Sequence, residues 1–172
     1  MATKVISYSY TGNNDALAEK YANAIGAEHF RIEEKRRRTM LRIVADTIVE
    51  SSPKLKRSHE EINRDDKVFV FAPIWMGKIA TPARPWLKKI GECGADYGFI
   101  SISGGADGPD SNDKILTELE TRVGRPPAVF EDLHIADLLP DTPQPTREIT
   151  MGYRLTEDDL DVLLDRLPVS LN

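Results

Sequence analysis

The chain has 172 residues and a mass of 19.3 kDa; 40% of its residues are hydrophobic and 30% are charged, so it can bury a sizeable core and stay soluble. Its single cysteine, Cys93, excludes an intramolecular disulfide framework and a cysteine-based zinc site. The net charge of −5 argues against nucleic-acid binding, and no apolar run approaches the roughly 18 residues of a membrane helix. We expect one domain over residues 1–172, cytoplasmic, without a signal peptide and with neither a nucleic-acid nor a membrane partner.

The charge is unevenly spread along the chain. Residues 1–65 carry 12 basic and 10 acidic side chains, whereas residues 66–172 carry 11 and 18. One basic cluster stands out, Lys35-Arg36-Arg37-Arg38. It is either a solvated turn ahead of a helix or a docking patch for an acidic partner.

Short apolar runs alternate with helical patterns along the chain, which predicts βα units and a parallel sheet. Strands are predicted at residues 4–9, 29–33, 68–72 and 99–103, with a fifth from residues 128–130 and 134–136, in one piece or two. Helices are predicted near residues 17–25 and 39–49, from about residue 81 to Gly91 or Gly94, and near residues 113–123, with a last helix after the capping box Thr156-Glu157-Asp158-Asp159. Pro82 is predicted at the first position of the third helix. The pattern is that of a doubly wound α/β fold.

A long polar stretch, residues 140–155, precedes the last helix. Loops of this length in a compact domain are often functional lids. Tyr153 or Arg154 could then cover a ligand or meet a substrate. The alternative is a surface excursion without a role in binding.

The loop after the first strand has the composition of an anion site. Hydroxyl and amide side chains stand at the predicted start of a helix, where the helix dipole favours an anion, in Ser9-Tyr10-Thr11-Gly12-Asn13-Asn14. Gly12 allows the backbone to wrap closely around a ligand. The loop has no lysine or arginine and is not a Walker A loop, so it suits one terminal phosphate. A well-capped helix without a ligand is the alternative.

Two further loops follow strands that should end at the same edge of the sheet. The first reads Pro73-Ile74-Trp75-Met76-Gly77-Lys78, and Trp75 offers a flat face for a planar ring, unless it folds back into the core. Trp86 has helical spacing with its apolar neighbours and is predicted to be core. The second reads Ser103-Gly104-Gly105-Ala106-Asp107-Gly108, where adjacent glycines let main-chain N–H groups face a polar ring edge. Ligands of open α/β sheets bind at such an edge.

The first two loops together resemble those of the flavodoxin family, over roughly residues 4–125. The resemblance implies a flavodoxin-like, doubly wound three-layer sandwich with a five-stranded parallel sheet in the order 2-1-3-4-5, and FMN as cofactor. It places the phosphate on Ser9, Tyr10, Thr11, Gly12, Asn13 and Asn14. The flavin ring would lie along Pro73, Ile74, Trp75, Met76 and Gly77, and its pyrimidine side against Ser103, Gly104, Gly105 and Asp107.

The sequence departs from the family pattern at two places. Asn14 stands where flavodoxins commonly have a hydroxyl residue, and no aromatic residue lies between Ser103 and Pro109 to stack on the second face of the ring. Three functions remain open: an electron carrier, an FMN-dependent NAD(P)H:quinone-type oxidoreductase, or a binding module that has lost flavin. The expected partner is a redox protein or a small electron acceptor, and the expected state is a monomer or weak dimer. The three histidines stand apart, so no metal site is predicted.

Overall fold

The computed structural model describes residues 1–35, 39, 42–43, 45–46, 49, 51, 53–56, 61–104, 110–139 and 146–171. In this part of the chain the main sheet has five parallel strands, and a two-stranded antiparallel hairpin follows the third of them. The strands are β1 (Thr3–Ser7), β2 (Glu28–Arg31), β3 (Lys67–Phe71), β4 (Ile74–Trp75), β5 (Lys78–Ile79), β6 (Asp96–Ser103) and β7 (Val129–His134). The helices are α1 (Asn13–Ile25), α2 (Arg84–Cys93), α3 (Asp110–Val123), α4 (Arg147–Gly152) and α5 (Glu157–Leu164), with a 3₁₀ turn at Ile135–Leu138.

The main sheet has the order β2-β1-β3-β6-β7, which is the order 2-1-3-4-5 when its own strands are counted along the chain. Neighbouring strand residues point to opposite faces of the sheet. Val5 and Phe69 therefore pack with α1 and α5, while Ile6 and Val70 pack with α2 and α3. The predicted doubly wound three-layer sandwich is confirmed.

Local sequence explains most element boundaries. The buried face of α1 is formed by Leu17, Ala18, Tyr21 and Ala22, and Gly26 ends the helix with φ of 67°. In α5, Thr156 caps the helix and accepts a hydrogen bond from the Asp159 N–H, while the Asp159 carboxylate accepts one from the Thr156 N–H, as the capping box predicts.

The predicted start of α2 at Pro82 is wrong. Residues 81–83 form a turn, in which the Ala83 N–H donates to the Ala80 carbonyl at 3.0 Å, and the helix begins at Arg84. The reason is Pro85, which lacks an N–H and fits only the first turn of a helix. The start of α2 is therefore set by the second proline of the segment and not the first.

The fifth strand of the main sheet is continuous from Val129 to His134. Its polar residues Glu131 and Asp132 obscured the strand pattern in the sequence. They are tolerated because β7 pairs only with β6 and is an edge strand. Three other predicted features lie wholly or partly outside the described residues: the helix near residues 39–49, the basic cluster at residues 35–38, and the start of the polar stretch at residues 140–155.

Candidate functional site

The three predicted loops begin at the same edge of the sheet, because β1, β3 and β6 are adjacent and in register. Ser7 pairs with Phe71, and Phe71 with Ile100. The first loop (residues 9–14) leads into α1, the second forms the hairpin (residues 74–79), and the third begins with Ser103 and Gly104. Two predicted site residues of the third loop, Gly105 and Asp107, lie outside the described residues.

In the first loop, main-chain N–H groups converge on two hydroxyl oxygens. The Ser9 Oγ accepts from the N–H of Gly12 at 2.9 Å and from that of Asn14 at 3.3 Å. The Thr11 Oγ1 accepts from the Asn13 N–H at 3.5 Å. Gly12 has φ of 101°, a left-handed conformation that favours glycine, and it opens the 13-residue helix α1. The loop thus gathers N–H donors at the positive end of a helix dipole.

The side chains of Asn13 and Asn14 are buried and bind other parts of the chain. The Asn14 amide exchanges two hydrogen bonds with the main chain of Ile102 in β6, at 3.0 and 3.3 Å. The Asn13 amide donates to the Tyr153 carbonyl at 3.0 Å and accepts from the Leu155 N–H at 3.3 Å. The two side chains are therefore engaged, and only the main-chain N–H groups of these residues are offered to a phosphate. That a phosphate binds there remains a prediction.

A buried polar chain lies beneath the first turn of α1. The Ser7 hydroxyl donates to the Asp15 carboxylate at 2.6 Å and lies 2.9 Å from the His29 Nε2. Burial raises the pKa of Asp15, and burial together with the Arg31 guanidinium lowers the pKa of His29. Sequence analysis missed this group because it depends on the pairing of His29 with Val5 across β1 and β2.

The hairpin turns through Met76 and Gly77, which have φ of 52° and 67°. Positive φ at both turn residues is typical of a two-residue turn of type I′. Trp75 is partly exposed, and its ring meets Tyr8 edge-on with centroids 5.7 Å apart. By contrast, Trp86 is 5% exposed and confirms its predicted place in the core. Trp75 is therefore not fully buried: it packs against the core cluster, and part of its surface is exposed.

A partly buried carboxylate fixes the base of the hairpin. Glu118 of α3 accepts from the Ile79 N–H at 2.9 Å and from the Arg122 Nε at 2.7 Å. Arg84 of α2 donates from Nε to the Ile79 carbonyl at 3.0 Å, and its Nη2 lies 3.6 Å from Glu118. Both main-chain groups of Ile79 are thus held by side chains from the two helices below the hairpin.

The third loop meets the segment of residues 146–155, which we call the strap. A Cβ atom added at Gly104 would lie 2.9 Å from the Thr150 Oγ1, so Gly104 leaves room for α4. The polar ends of the Tyr153 and Arg154 side chains bind other groups of the chain. The Tyr153 hydroxyl donates to Asp159 at 2.8 Å, and Arg154 donates to carbonyls at the end of α4, including that of Gly152 at 3.2 Å.

Two other features would bear on function, a metal centre and a membrane-spanning helix. Among the residues that the structure describes, no group of three His, Cys, Asp or Glu side chains could hold a metal ion. The same residues contain no helix long and apolar enough to cross a membrane. His134 is accounted for by Asp132, whose carboxylate lies 3.0 Å from its Nε2.

No protein-family model and no curated protein matches the sequence. Solved structures do match. A flavoprotein from Lactobacillus acidophilus in complex with FMN is 18% identical, with a TM-score of 0.64 over 81% of this chain and 96% of that one. The apo form of the flavoprotein from the same bacterium is 18% identical and matches with a TM-score of 0.59 over 79% and 94%.

A candidate flavoprotein from Bacteroides eggerthii is 19% identical, with a TM-score of 0.64 over 96% of both chains. At these identities the likeness concerns the fold, and it includes forms with and without flavin. Together with the observed strand order, it confirms the resemblance found in the sequence at the level of architecture. The chain has the flavodoxin-like fold.

Proposed function

We propose that this chain binds FMN at the carboxyl edge of its sheet and serves as an electron-transfer protein. The observation that carries the proposal is the first loop, in which the N–H groups of Gly12, Asn13 and Asn14 gather at the start of α1. A phosphate would accept from such N–H groups more strongly than the Ser9 and Thr11 hydroxyls do at 2.9–3.5 Å. These residues therefore fit the phosphate end of FMN.

The chemistry of the loop favours a single terminal phosphate. No lysine or arginine lies in residues 9–14, so the anion would be held by neutral donors and the helix dipole. The two buried amides of Asn13 and Asn14 fix the loop against the strap and β6 before a ligand arrives. A site that is already ordered loses less entropy on binding.

The hairpin supplies the apolar surface for the ring. Trp75 is supported on one side by Tyr8, and the base of the hairpin is fixed through Ile79. When bound, FMN would supply reversible uptake of one or two electrons. The residues of the chain would bind its phosphate, orient its ring and exclude water from one side of it.

We further propose a redox protein or a small electron acceptor as partner. The excess of acidic side chains in residues 66–172 includes Asp158 and Asp165, which are exposed on and just after α5, beside Glu157 and Asp161, which pair with Lys20. Such a surface speeds the encounter with a basic partner, an effect that salt weakens.

The test compares FMN with riboflavin, which lacks the phosphate, by titrating the purified protein and following tryptophan and flavin fluorescence. We expect FMN to bind more tightly. Thr11→Ala should weaken FMN binding by about 1–3 kcal/mol, as when a charged partner loses a hydrogen bond, and should leave riboflavin unaffected. The control is Thr121→Ala on α3, whose hydroxyl binds only its own helix, at the Thr117 carbonyl. Equal affinity for the two flavins, or none for either, contradicts the proposal.

A second measurement separates a carrier from a reductase. The chain has no Gly-x-Gly-x-x-Gly motif, and the only basic residue in the three loops is Lys78. We therefore expect the FMN-loaded protein to oxidise NADH and NADPH slowly or not at all when a quinone is present. Steady turnover that disappears when FMN is removed would assign the chain to the oxidoreductases instead.

A further inference from the structure

The strap (residues 146–155) is fixed to two of the three loops of the candidate site. At its carboxyl end, the main chain of Tyr153 and Leu155 is bound by the buried Asn13 amide of the first loop. In its middle, Thr150 is buried and packs on Gly104 of the third loop. A segment held at both places borders the first and third loops of the candidate site.

Two exposed apolar side chains flank this contact. Successive residues of a helix point about 100° apart, so Ile149 and Met151 lie on either side of Thr150. They are 44% and 40% exposed, although their helix is anchored in the protein. The third loop has no aromatic residue between Ser103 and Pro109, so it offers no flat apolar surface of its own.

The strap is also well ordered by its own contacts. The Tyr153 hydroxyl donates to Asp159 of the α5 capping box. The Arg154 guanidinium donates to the carbonyls of Met151, Gly152 and Tyr153. The Thr146 Oγ1 accepts from the Ile149 N–H at the start of α4. The apolar pair is therefore presented on a fixed segment, as a binding surface requires.

We propose that the strap is a wall of the ligand site and that one of its two exposed apolar side chains, Ile149 or Met151, contacts the flavin ring on the side not covered by Trp75. This inference rests on the proposed function, since it takes FMN as the ligand. Asn13 is then a positioning residue: it joins the loop that would hold the phosphate to the segment that would cover the ring. The apolar wall takes the place of an aromatic residue after β6.

The experiment measures dissociation constants of FMN and riboflavin for Ile149→Ser, Met151→Ser and the control Val162→Ser. Val162 is also an exposed apolar helix residue, at 48%, but lies on α5. We expect at least one strap variant, that of the side chain facing the ring, to weaken both flavins alike, by about fivefold to tenfold, because the wall contacts the ring and not the phosphate. The Val162 variant should bind as the unchanged protein does.

A second pair of variants tests the position of the strap. Gly104→Ala should displace Thr150 and weaken flavin binding, and Gly104→Ala combined with Thr150→Ala should restore it, since the nearest remaining atom is then the residue-150 Cβ at 3.5 Å. A glycine needed only for approach to the ligand would show no such rescue. Thermal denaturation of each variant without flavin shows that it is folded.

The outcomes are distinguishable. If the unchanged protein binds neither flavin, the proposed function fails and the wall loses its ligand. If it binds FMN while the strap variants match the Val162 control, the proposed function stands and the wall is refuted. If at least one strap variant weakens the binding of both flavins, and Thr150→Ala rescues Gly104→Ala, the wall is supported.

Discussion

A carboxylate fixes each edge of the sheet, Asp66 at the amino edge and Glu118 at the carboxyl edge, but Asp66 is buried and Glu118 partly buried, and their surroundings differ. At the amino edge, Asp66 accepts from the N–H groups of Ala2 and Asn63, each at 3.0 Å, and pairs with Lys4 at 3.2 Å. At the carboxyl edge, Glu118 binds Ile79 and two arginines, and the hairpin above it carries a partly exposed tryptophan and a left-handed methionine. The amino edge is arranged for stability, whereas the carboxyl edge retains groups that a ligand could use.

The largest effect is expected at the carboxylate beneath the hairpin. Glu118→Ala should lower the free energy of unfolding by about 3–5 kcal/mol, because it leaves the 4% exposed Arg84 charge without this carboxylate. Urea denaturation measures the change. The control is Glu92→Ala, whose partner Lys88 lies 3.7 Å away on the surface, and it should cost no more than about 0.5 kcal/mol. Similar losses for the two variants would contradict the role given to Glu118.

At the amino edge, Asp66→Ala should destabilise the fold by about 2–3 kcal/mol and leave flavin affinity unchanged. Two main-chain N–H groups and Lys4 lose their common acceptor, all at the edge opposite the candidate site. Denaturation and flavin titration of the same sample test both parts. A change in flavin affinity at full folding would show that the two edges are not independent.

Asp66 also makes the stability of the fold depend on pH under acidic conditions. The N–H groups of Asn63 and Ala2 and the Lys4 ammonium lower the pKa of Asp66 from 3.8 to about 2. Because the pKa is lower in the folded state, this stabilisation is complete above pH 4 and is lost as the pH falls towards 2. Asp66→Asn should remove that part of the pH dependence. Unfolding free energies measured between pH 2 and 5 give the comparison.

Asn14→Ala should affect both stability and binding. It removes two hydrogen bonds from the buried main chain of Ile102 and loosens the first loop, so we expect a loss of about 1–3 kcal/mol in stability and weaker FMN binding. Asn14→Asp is the matched variant, because it can accept from the Ile102 N–H but cannot donate to the carbonyl. Its carboxylate would be buried against the Ile102 carbonyl and would lie in the loop proposed to hold the phosphate, so we expect it to bind FMN no better than Asn14→Ala does. Full FMN affinity in a folded Asn14→Ala protein would contradict the view that Asn14 holds the first loop in place for the ligand.

Local patterns predicted the sheet and the three loops, but not the contacts that arrange them. The apolar run at Val68–Val70 and the glycine at the start of α1 act within a few residues and can be read from the sequence. The Asn13 amide binds a carbonyl 140 positions along the chain, and Glu118 binds an N–H 39 positions away. Such pairs depend on the packing of whole helices, which no local periodicity encodes.

The smallest effect is expected at the tip of the hairpin, and it has the opposite sign. Met76 has φ of 52°, a conformation that costs about 1–2 kcal/mol for most residues but less for asparagine. Met76→Asn creates the Asn-Gly pair favoured in two-residue hairpin turns and should stabilise the protein by about 0.5–1 kcal/mol. Met76→Ala keeps the penalty of the left-handed conformation and should not stabilise the protein. Because Met76 is 50% exposed, neither change removes core packing, and urea denaturation of the two variants compares the turn alone. Equal stability of the two variants would mean that the carboxyl edge carries no backbone strain at this turn, which would remove one of the differences between the two edges of the sheet.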